Sequence, residues 1–286
     1  MKKYCLNLRV ASADHLTDHH VLLKLTNDDA LPEMFPGQFV EVRIDHSPST
    51  FLRRPISINL VDLKRNELWL LVAAVGDGTR QLYQLKSGDT VNCLLPLGNG
   101  FSMPIANDVV KSSVGDVVKP SADDAIKPSG DGLAKTSIKD VLLVGGGVGV
   151  APLLWQGLTL KKAGLKPTFL LGARSAKDLL ELDLFKEVGP VYITTEDDSA
   201  GEKGFVTNHS ILQRKHFDLI QTCGPKPMMK AVAAYARDNK IDCEASLENM
   251  MACGLGACLC CVEKTQEGNL RVCQDGPVFN TKKLLW

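Results

Sequence analysis

The chain has 286 residues, enough for one large domain or two of ordinary size, with the 44% apolar and 23% charged content of a globular protein. Its formal net charge is zero, so no global charge attracts nucleic acid or an anionic membrane surface. No stretch approaches the roughly 20 apolar residues of a membrane-spanning helix and no secretory signal is present, so we expect a cytoplasmic protein without nucleic-acid or membrane partners.

Residues 1–104 alternate short apolar runs with turns of Gly, Asp, Asn and Pro, which is the pattern of a small antiparallel β-barrel. A short helix is predicted near Thr79–Leu85. Five runs are predicted as strands, and they read HHVLLKLTN, GQFVEVRID, PISINLVDL, ELWLLVAAV and DTVNCLLPLG.

The third run belongs to the motif RRPISI, which places Arg54, Pro55 and Ser57 at the end of a barrel strand. A guanidinium and a hydroxyl in this arrangement would bind a phosphate through charge-assisted hydrogen bonds, and the proline would set the direction of the chain. The alternative is a surface arginine beside a strand that happens to contain proline.

The fourth run leads into Gly76-Asp77-Gly78-Thr79 and then into the predicted helix. A glycine turn before a helix N-terminus favours an anion, because free N–H groups and the helix dipole face it. The alternative is an ordinary turn in which Thr79 caps the helix.

Residues 109–140 form an internal repeat of period eight, rich in Ser, Asp, Gly and Lys. Lysine recurs in register at Lys111, Lys119, Lys127 and Lys135. Since bulky residues are too few to offset the entropy of ordering, we expect residues 105–139 to be an expanded, flexible interdomain loop. A partner-binding arm or a small β-solenoid element is the alternative.

From Asp140 onward, compact apolar strands alternate with helical segments, which favours a parallel sheet with crossover helices over residues 140–245. The predicted strands read DVLLVGGG, KPTFLLGA, GPVYITTED and FDLIQTCGP, and two of the helices read APLLWQGLTLKKAG and KPMMKAVAAYARDNK. This second domain is therefore expected to be α/β.

The first of these strands ends in a glycine-rich turn that contains Gly145, Gly146, Gly147 and Gly149. Glycines let a phosphate-bearing ligand approach the backbone, although the spacing is not the G-x-G-x-x-G dinucleotide fingerprint. A tight turn without a ligand is the alternative. Cys223 ends the last strand, at the edge where open sheets bind ligands, and it faces a redox cofactor or is a buried structural cysteine.

Residues 246–286 hold five of the nine cysteines, and a tight cluster in a reducing compartment indicates a metal or redox site. Cys253, Cys258 and Cys261 have the spacing C-x4-C-x2-C of plant-type [2Fe–2S] proteins, and Cys273 follows after eleven residues. A structural zinc site is the rival, but it usually shows two C-x2-C pairs. Cys260 is left over. The isolated cysteines are expected in the core: Cys5, Cys93 and Cys243.

The order of these motifs along the chain resembles the ferredoxin–NADP reductase superfamily. The terminal cysteine segment is similar to that of the electron-transfer subunits of NAD-dependent (type 1B) dihydroorotate dehydrogenases. The resemblance covers nearly the whole chain except the octad repeat. It implies FAD in the barrel, a nicotinamide nucleotide on the α/β domain and a [2Fe–2S] cluster in the last segment.

The resemblance also assigns site residues. Arg54, Pro55, Ile56 and Ser57 would hold the FAD phosphates and ribityl chain. Backbone groups of Leu71, Val72 and Ala73 would line the flavin, and Gly78 and Thr79 would bind the pyrophosphate. Gly145 to Gly149 and Cys223 would face the nicotinamide nucleotide. The cluster ligands would be Cys253, Cys258, Cys261 and Cys273.

The implied partner is an FMN-containing dihydroorotate dehydrogenase catalytic subunit, in a heterotetramer with two copies of each chain. Dihydroorotate would be oxidised on that subunit, so no catalytic acid or base for it is expected here. Two alternatives stay open: a related reductase that serves ferredoxin, sulfide or polysulfide, and a zinc-stabilised binding module without redox function. Arg174 lies where a 2′-phosphate would bind and hints at NADP, whereas the resemblance indicates NAD.

Overall fold

The computed structural model describes residues 1–45, 47, 49–104, 138 and 140–286. The predicted octad loop lies, apart from residue 138, outside these residues. No helix among the described residues is long and apolar enough to cross a membrane.

The first domain is a closed antiparallel barrel of six strands in the order β1-β2-β5-β4-β3-β6. Its elements are β1 (Tyr4–Thr17), β2 (His20–Thr26), β3 (Phe39–Val42), β4 (Arg54–Asp62), β5 (Glu67–Ala73), α1 (Asp77–Tyr83) and β6 (Thr90–Leu97). The five predicted strands and the short helix are confirmed. The additional strand β1 closes the barrel by pairing with both β2 and β6, and its Ala-Ser-Ala-Asp stretch weakens the apolar alternation that would have predicted it.

The second domain is a seven-stranded sheet in the order β10-β9-β8-β7-β11-β12-β15, parallel except at β15. Its strands are β7 (Asp140–Gly146), β8 (Lys166–Ala173), β9 (Val191–Thr195), β10 (Glu202–Lys203), β11 (Leu219–Cys223), β12 (Asp242–Ser246) and β15 (Val278–Asn280). Its helices are α2 (Ala151–Lys162), α3 (Leu182–Val188), α4 (Ile211–Arg214) and α5 (Lys226–Asp238). The predicted α/β class is confirmed.

The two domains share one apolar interface. Trp69 and Leu71 point outward from barrel strand β5 and pack in one buried cluster with Val150 and Leu154 of the second domain. Val72, in contrast, points into the barrel core. Because β5 is buried on both faces, it reads as the continuous apolar run LWLLV instead of alternating. This packing places the glycine-rich turn beside the barrel.

The cysteine segment lies against both domains. It carries the hairpin β13 (Val262–Thr265) and β14 (Gly268–Arg271), and its strand β15 completes the sheet of the second domain. The N–H of Asn99, just after β6, donates to the carbonyl of Gly276 at 2.6 Å. A Cβ on Gly98 would lie 2.5 Å from Pro277, so these two segments of the chain are in close contact. The segment is thereby held at the barrel rim.

The three isolated cysteines differ in burial. Cys93 and Cys243 are buried, as expected. Cys5 is exposed on β1, so the expectation of a core position was wrong for this residue. Its strand places it on the outer face of the barrel, while its neighbours Leu6 and Leu8 pack with the barrel core.

Candidate redox site

Two motifs that are distant in sequence meet at a cleft on the barrel. A Cβ on Gly78 would lie 3.0 Å from the side chain of Arg54 and 3.1 Å from Thr50. The cleft has a volume of about 310 Å³ and is lined by Ser49, Thr50, Phe51, Leu52, Arg54, Asp77 and Gly78. A guanidinium beside a glycine turn, at an open cleft, is a suitable arrangement for a pyrophosphate.

The adjacent arginines Arg53 and Arg54 have different surroundings. Arg53 turns into the barrel wall, where its guanidinium donates to the carbonyls of Glu41 and Asn92 at 3.2 and 2.9 Å and also to the Asn92 side chain. Arg54 remains at the cleft, where, within the described part of the chain, its guanidinium donates to the nearby carbonyls of Arg53 and Leu52. Arg54 is therefore the arginine that lies at the cleft, and Arg53 joins strands β3 and β6.

The other predicted flavin residues offer backbone more than side chain. Ile56 and Val72 point into the barrel core, and Leu71 is buried in the interdomain cluster. Pro55, Ser57 and Ala73 are partly exposed on strands β4 and β5. The arrangement agrees with a ligand that lies along the strands and contacts their main chain.

The N-cap of α1 is Gly76, so the alternative with Thr79 as N-cap was wrong; Thr79 stands three residues further on and its hydroxyl reaches back to the cap. Its hydroxyl accepts from the N–H groups of Val75 and Gly76 at 3.1 and 3.0 Å and donates to the Gly76 carbonyl at 3.1 Å. The side chain thus holds the turn in shape, and any contact between Thr79 and an anion falls to its backbone N–H.

The glycine-rich turn occupies the point where the strand order of the parallel sheet reverses. Strand β7 lies between β8 and β11. The strands that follow β7 in sequence, β8 to β10, extend the sheet on one side, and β11 and β12 extend it on the other. Gly145 on β7 pairs in register with Cys223, the last residue of β11. Open α/β sheets bind ligands at this switch point, outside the carboxyl ends of the strands. The structure therefore brings the predicted glycines and Cys223 together at the carboxyl edge of the sheet.

The four glycines differ in what surrounds them. A Cβ on Gly149 would lie 2.4 Å from Cα of Gly224, and one on Gly146 would lie 2.6 Å from the sulfur of Met228. Gly145 is similarly crowded by Leu153 and Val150. Gly147 has no atom within 4 Å of its ideal Cβ and a φ of +54°. Packing thus accounts for three glycines, and Gly147 is the one that leaves open space for a ligand.

Cys223 is fully buried in the interdomain cluster. Burial raises the pKa of its thiol well above the usual range, so the thiol stays protonated. It packs as a small apolar group, at a position next to both Gly145 and Ser246 in the sheet.

The residue that hints at nucleotide choice, Arg174, follows β8 at the same edge of the sheet. Its carbonyl accepts from the N–H of Asp197, which follows β9. The side chain of Asp197 accepts from the hydroxyl of Ser199. A basic and an acidic residue therefore follow neighbouring strands at the same edge of the sheet. Asp197 was not predicted, because it belongs to a different strand end from Arg174 and only the sheet brings the two together.

The four predicted cluster cysteines come together as two pairs. Cys258 lies close enough to Cys253 to help lower the pKa of its thiol, and the backbone N–H of Cys273 donates to the sulfur of Cys261 at 3.4 Å. Among the described residues, no three His, Cys, Asp or Glu side chains converge on one point as a mononuclear site requires. Two thiols for each of two irons is the donor set of a [2Fe–2S] cluster. The four thiols present therefore fit the donor set of a binuclear cluster.

Backbone groups around Cys253 stabilise its thiolate. Desolvation opposes ionisation, but hydrogen bonds from the N–H groups of Leu255 and Cys258 outweigh it and lower the pKa of the thiol to about 6. The Leu255 N–H lies 3.3 Å from the sulfur. A loop of small residues can turn its N–H groups inward in this way, and such donors also tune a bound cluster.

Glu41 on β3 was not predicted, and it lies directly beneath the cysteine loop. A Cβ on Gly254 would lie 2.8 Å from its Cγ. The residue is fully buried and neither carboxylate oxygen has a hydrogen-bond partner within the described structure. Burial raises its pKa to about 7 despite nearby Arg54 and Arg53. Since Glu41 pairs in register with Pro55, one strand separates the loop from the Arg-Pro-x-Ser motif.

Two family models match this chain. One is described as the iron-sulfur cluster binding domain of dihydroorotate dehydrogenase B and matches residues 248–285. The other is described as an oxidoreductase NAD-binding domain and matches residues 143–234. Both agree with the assignments made from the sequence.

Among solved structures, an NADH-dependent reduced ferredoxin-NADP oxidoreductase has a TM-score of 0.79 and 27% identity, and the match covers 98% of this chain and 90% of that one. A ferredoxin NADP+ reductase from Neisseria gonorrhoeae, solved with FAD and NADP, shares the fold at a TM-score of 0.58 and 13% identity, over 82% of this chain and 91% of that chain.

Curated relatives extend the match along the chain. The electron transfer subunit of dihydroorotate dehydrogenase B (NAD(+)) from Shouchella clausii is 38% identical over 248 residues, which are 85% of this chain and 84% of the relative. The subunit of the same name from Bacillus velezensis is 34% identical over 287 residues, 99% of each chain. The resemblance inferred from the motifs is confirmed: this chain belongs to the family of electron transfer subunits of NAD-dependent dihydroorotate dehydrogenase B.

Proposed function

We propose that this chain passes electrons between NAD and an FMN-containing catalytic subunit that oxidises dihydroorotate to orotate in pyrimidine biosynthesis. The observation that carries the proposal is the contact between Gly254 and Glu41, which sets the paired cysteines one barrel strand away from the flavin motif. Bound FAD supplies the exchange between hydride transfer, which moves two electrons, and cluster reduction, which moves one.

In this proposal the barrel holds FAD. Arg54 pairs with the pyrophosphate at the cleft, and Gly78 allows the phosphates to approach the backbone. Ser57 offers its hydroxyl, while Pro55, Ile56, Leu71, Val72 and Ala73 offer the strand surface along which the flavin lies. Thr79 contributes its backbone N–H and holds the turn.

The nicotinamide nucleotide binds at the switch point, with Gly147 as its closest backbone approach. Gly145, Gly146 and Gly149 shape the turn, and the protonated Cys223 thiol forms part of the apolar floor between the domains. We propose NAD as the substrate, because Asp197 stands beside Arg174 and can accept a ribose hydroxyl. Turnover with NADH and NADPH tests this choice, and a strong preference for NADPH would reverse it.

Cys253, Cys258, Cys261 and Cys273 hold the cluster, and the exposed side chains around them form the proposed exit surface. Met250, Leu255 and Leu259 are 80%, 46% and 61% exposed. Large apolar side chains that surround a redox centre are typical of a surface that docks a protein partner. We propose the FMN-containing chain as that partner, in a heterotetramer of two copies of each chain.

None of the nine cysteines, all of which are described, forms a disulfide bond. This agrees with the cytoplasm as the proposed location, where thiols stay reduced.

An anaerobic visible spectrum with iron, sulfide and flavin analysis tests the cofactor set. We expect one FAD and one [2Fe–2S] cluster in each chain. Stoichiometric zinc without flavin bands would end the redox proposal. Co-purification tests the partner: failure to associate with an FMN-containing dihydroorotate dehydrogenase chain would favour a reductase that serves ferredoxin, sulfide or polysulfide.

A further inference from the structure

A buried polar contact joins the two domains behind the flavin strand. The side-chain amide of Asn59, on β4, donates to Oε2 of Glu181 at 2.8 Å and to the carbonyl of Ala151 at 3.2 Å. Ala151 begins α2, the helix that follows the glycine-rich turn, and Glu181 immediately precedes α3. One barrel side chain therefore touches the start of two helices of the nucleotide domain.

The backbone is shaped to make this contact. The pairing of β4 with β5 shifts register between Ile58 and Leu60, so Asn59 is the extra residue of a β-bulge. The bulge turns Asn59 toward the second domain, while Ile58 and Val61 keep pointing into the barrel. Glu181 adopts a left-handed conformation with φ 55°, which is unfavourable for a residue with a side chain.

Two atoms of this contact lack partners. Asn59 is fully buried, and neither its Oδ1 nor Oε1 of Glu181 has a hydrogen-bond partner among the described residues. Both orphan atoms are acceptors when Glu181 is ionised, and leaving them so is costly away from water. A proton on Oε1 turns it into a donor. An amide and a carboxylic acid that already share one hydrogen bond can then form a second, from Oε1 to Oδ1.

The charged groups around the contact do not replace that proton. Lys24 on β2 is the cation that acts on Glu181, but its Nζ binds Asp14 at 2.9 Å and lies over the ring of Trp69.

Other charged and titratable groups lie near the two ends of this contact. Asp178, before α3, faces His19 at 3.9 Å, and the ring of His20 lies 4.5 Å from that of His19 in a tilted arrangement. On α3 itself, Asp183 pairs with Lys186 at 3.1 Å.

Burial outweighs the hydrogen bond from Asn59 and the charge of Lys24, and it raises the pKa of Glu181 to about 7.

We propose that Asn59 and Glu181 are a positioning pair that holds α2 and the glycine-rich turn against the flavin strand while Glu181 is protonated, and that loses its second hydrogen bond when this proton leaves for solvent. The consequence for hydride transfer rests on the nicotinamide and flavin sites proposed above, whereas the pair itself does not. Since small displacements of reacting groups slow transfer strongly, the pair makes NADH-dependent flavin reduction sensitive to pH.

Four proteins test the proposal, each as the full FAD-loaded chain: the wild type, Glu181→Gln, Glu181→Ala and the control Glu187→Gln, which makes the same change at an exposed position of α3. Single-turnover reduction of the flavin by NADH is followed well below and well above the pKa of Glu181. Amide exchange in the first turn of α2 is measured under the same conditions as protection factors, which remove the intrinsic effect of pH on exchange.

In the wild type and in Glu187→Gln, we expect the rate and the protection to fall several-fold at the higher pH. Glutamine can donate to Asn59 Oδ1 and accept from its Nδ2 at any pH, so Glu181→Gln keeps the low-pH values throughout. Glu181→Ala shows low values at both. If Glu181→Gln titrates like the wild type, or wild-type protection does not change with pH, the pair is wrong. If NADH reduces no flavin at any pH, the proposed cofactor sites are wrong and the exchange data still decide the pair.

Discussion

Gly254 of the cysteine loop packs against Glu41 of barrel strand β3, with only 2.8 Å between its ideal Cβ position and Cγ of Glu41. Its φ of +65° is also left-handed. The position therefore excludes a side chain twice, once by conformation and once by contact with a neighbour that has no room to move. Glycine is required here because the loop must approach the barrel closely.

The first prediction concerns this contact. Gly254→Ala should destabilise the loop by about 1–3 kcal/mol and lower the cluster content, because the strained φ and the clash with Glu41 add. Gly164→Ala is the matched control, since Gly164 also has a positive φ of +79° but open space around it. Iron and sulfide per chain measure the effect. Equal cluster content in both variants would show that contact with Glu41 is unimportant.

The second prediction separates the cysteines. Cys258→Ser should remove the cluster and electron transfer to the partner while much FAD stays bound, because Cys258 is paired with Cys253. Cys260→Ser should keep the cluster, since Cys260 is exposed and is the cysteine of residues 246–286 that is not among the four proposed ligands. Visible spectra with iron analysis check both variants. Full cluster content in Cys258→Ser would rule out Cys258 as an essential ligand.

The third prediction separates the adjacent arginines. Arg54→Gln should weaken FAD binding by about 1.5–3 kcal/mol, roughly ten- to hundredfold, since it removes a charged donor from the cleft. The apoprotein should remain as stable as the wild type. Arg53→Gln should instead lower the free energy of unfolding, because it removes the bonds to Glu41 and Asn92. Flavin titration and urea unfolding of both apoproteins distinguish these outcomes, and identical profiles would contradict the assignment.

The fourth prediction concerns the glycine-rich turn. Gly149→Ala should destabilise the second domain, because its Cβ would meet the backbone of Gly224 at 2.4 Å. Gly147→Ala should act mainly on the nucleotide, raising KM for NADH, since its Cβ would enter open space and only the conformational cost of φ +54° falls on the fold. Thermal unfolding and NADH kinetics provide the comparison. A larger loss of stability in Gly147→Ala would be the contrary result.

The fifth prediction concerns pH and stability. Because burial raises the pKa of Glu181 from 4.5 to about 7, the folded chain binds the extra proton. Its stabilising contribution is therefore complete below pH 4.5 and is lost as pH rises through about 7. The loss is on the order of 3 kcal/mol at most. Urea unfolding across this range should show a steeper decline in the wild type than in Glu181→Gln, and parallel curves would contradict the assignment.

Local patterns decided what could be read from the sequence. The strands of the barrel and of the parallel sheet were predictable because apolar runs and turn residues depend on near neighbours. The cluster ligands could be proposed from the sequence because Cys253, Cys258 and Cys261 lie within one short segment. Strand β1 was not predicted, because its stretch ASAD consists of small and polar residues and lacks the apolar alternation of a strand. Pairing with β2 and β6 stabilises it in the fold.

Residues of the same type within one motif have different surroundings, and these depend on the tertiary structure. The sequence RR does not reveal that Arg53 turns inward and Arg54 stays at the cleft, because the direction depends on carbonyls of β3 and β6. The glycines look alike in GGGVG, yet contacts with Gly224 and Met228 separate Gly147 from the others.

The sequence by itself determined the family and predicted the order of domains and the cluster ligands, since spacing and composition are properties of the linear chain. Only the tertiary structure decided that Glu41 lies under the cysteine loop and that Asn59 meets Glu181 across the domain interface. Both carboxyl groups owe their raised pKa to burial. Burial of a polar group arises from residues far away in sequence, so no local pattern records it.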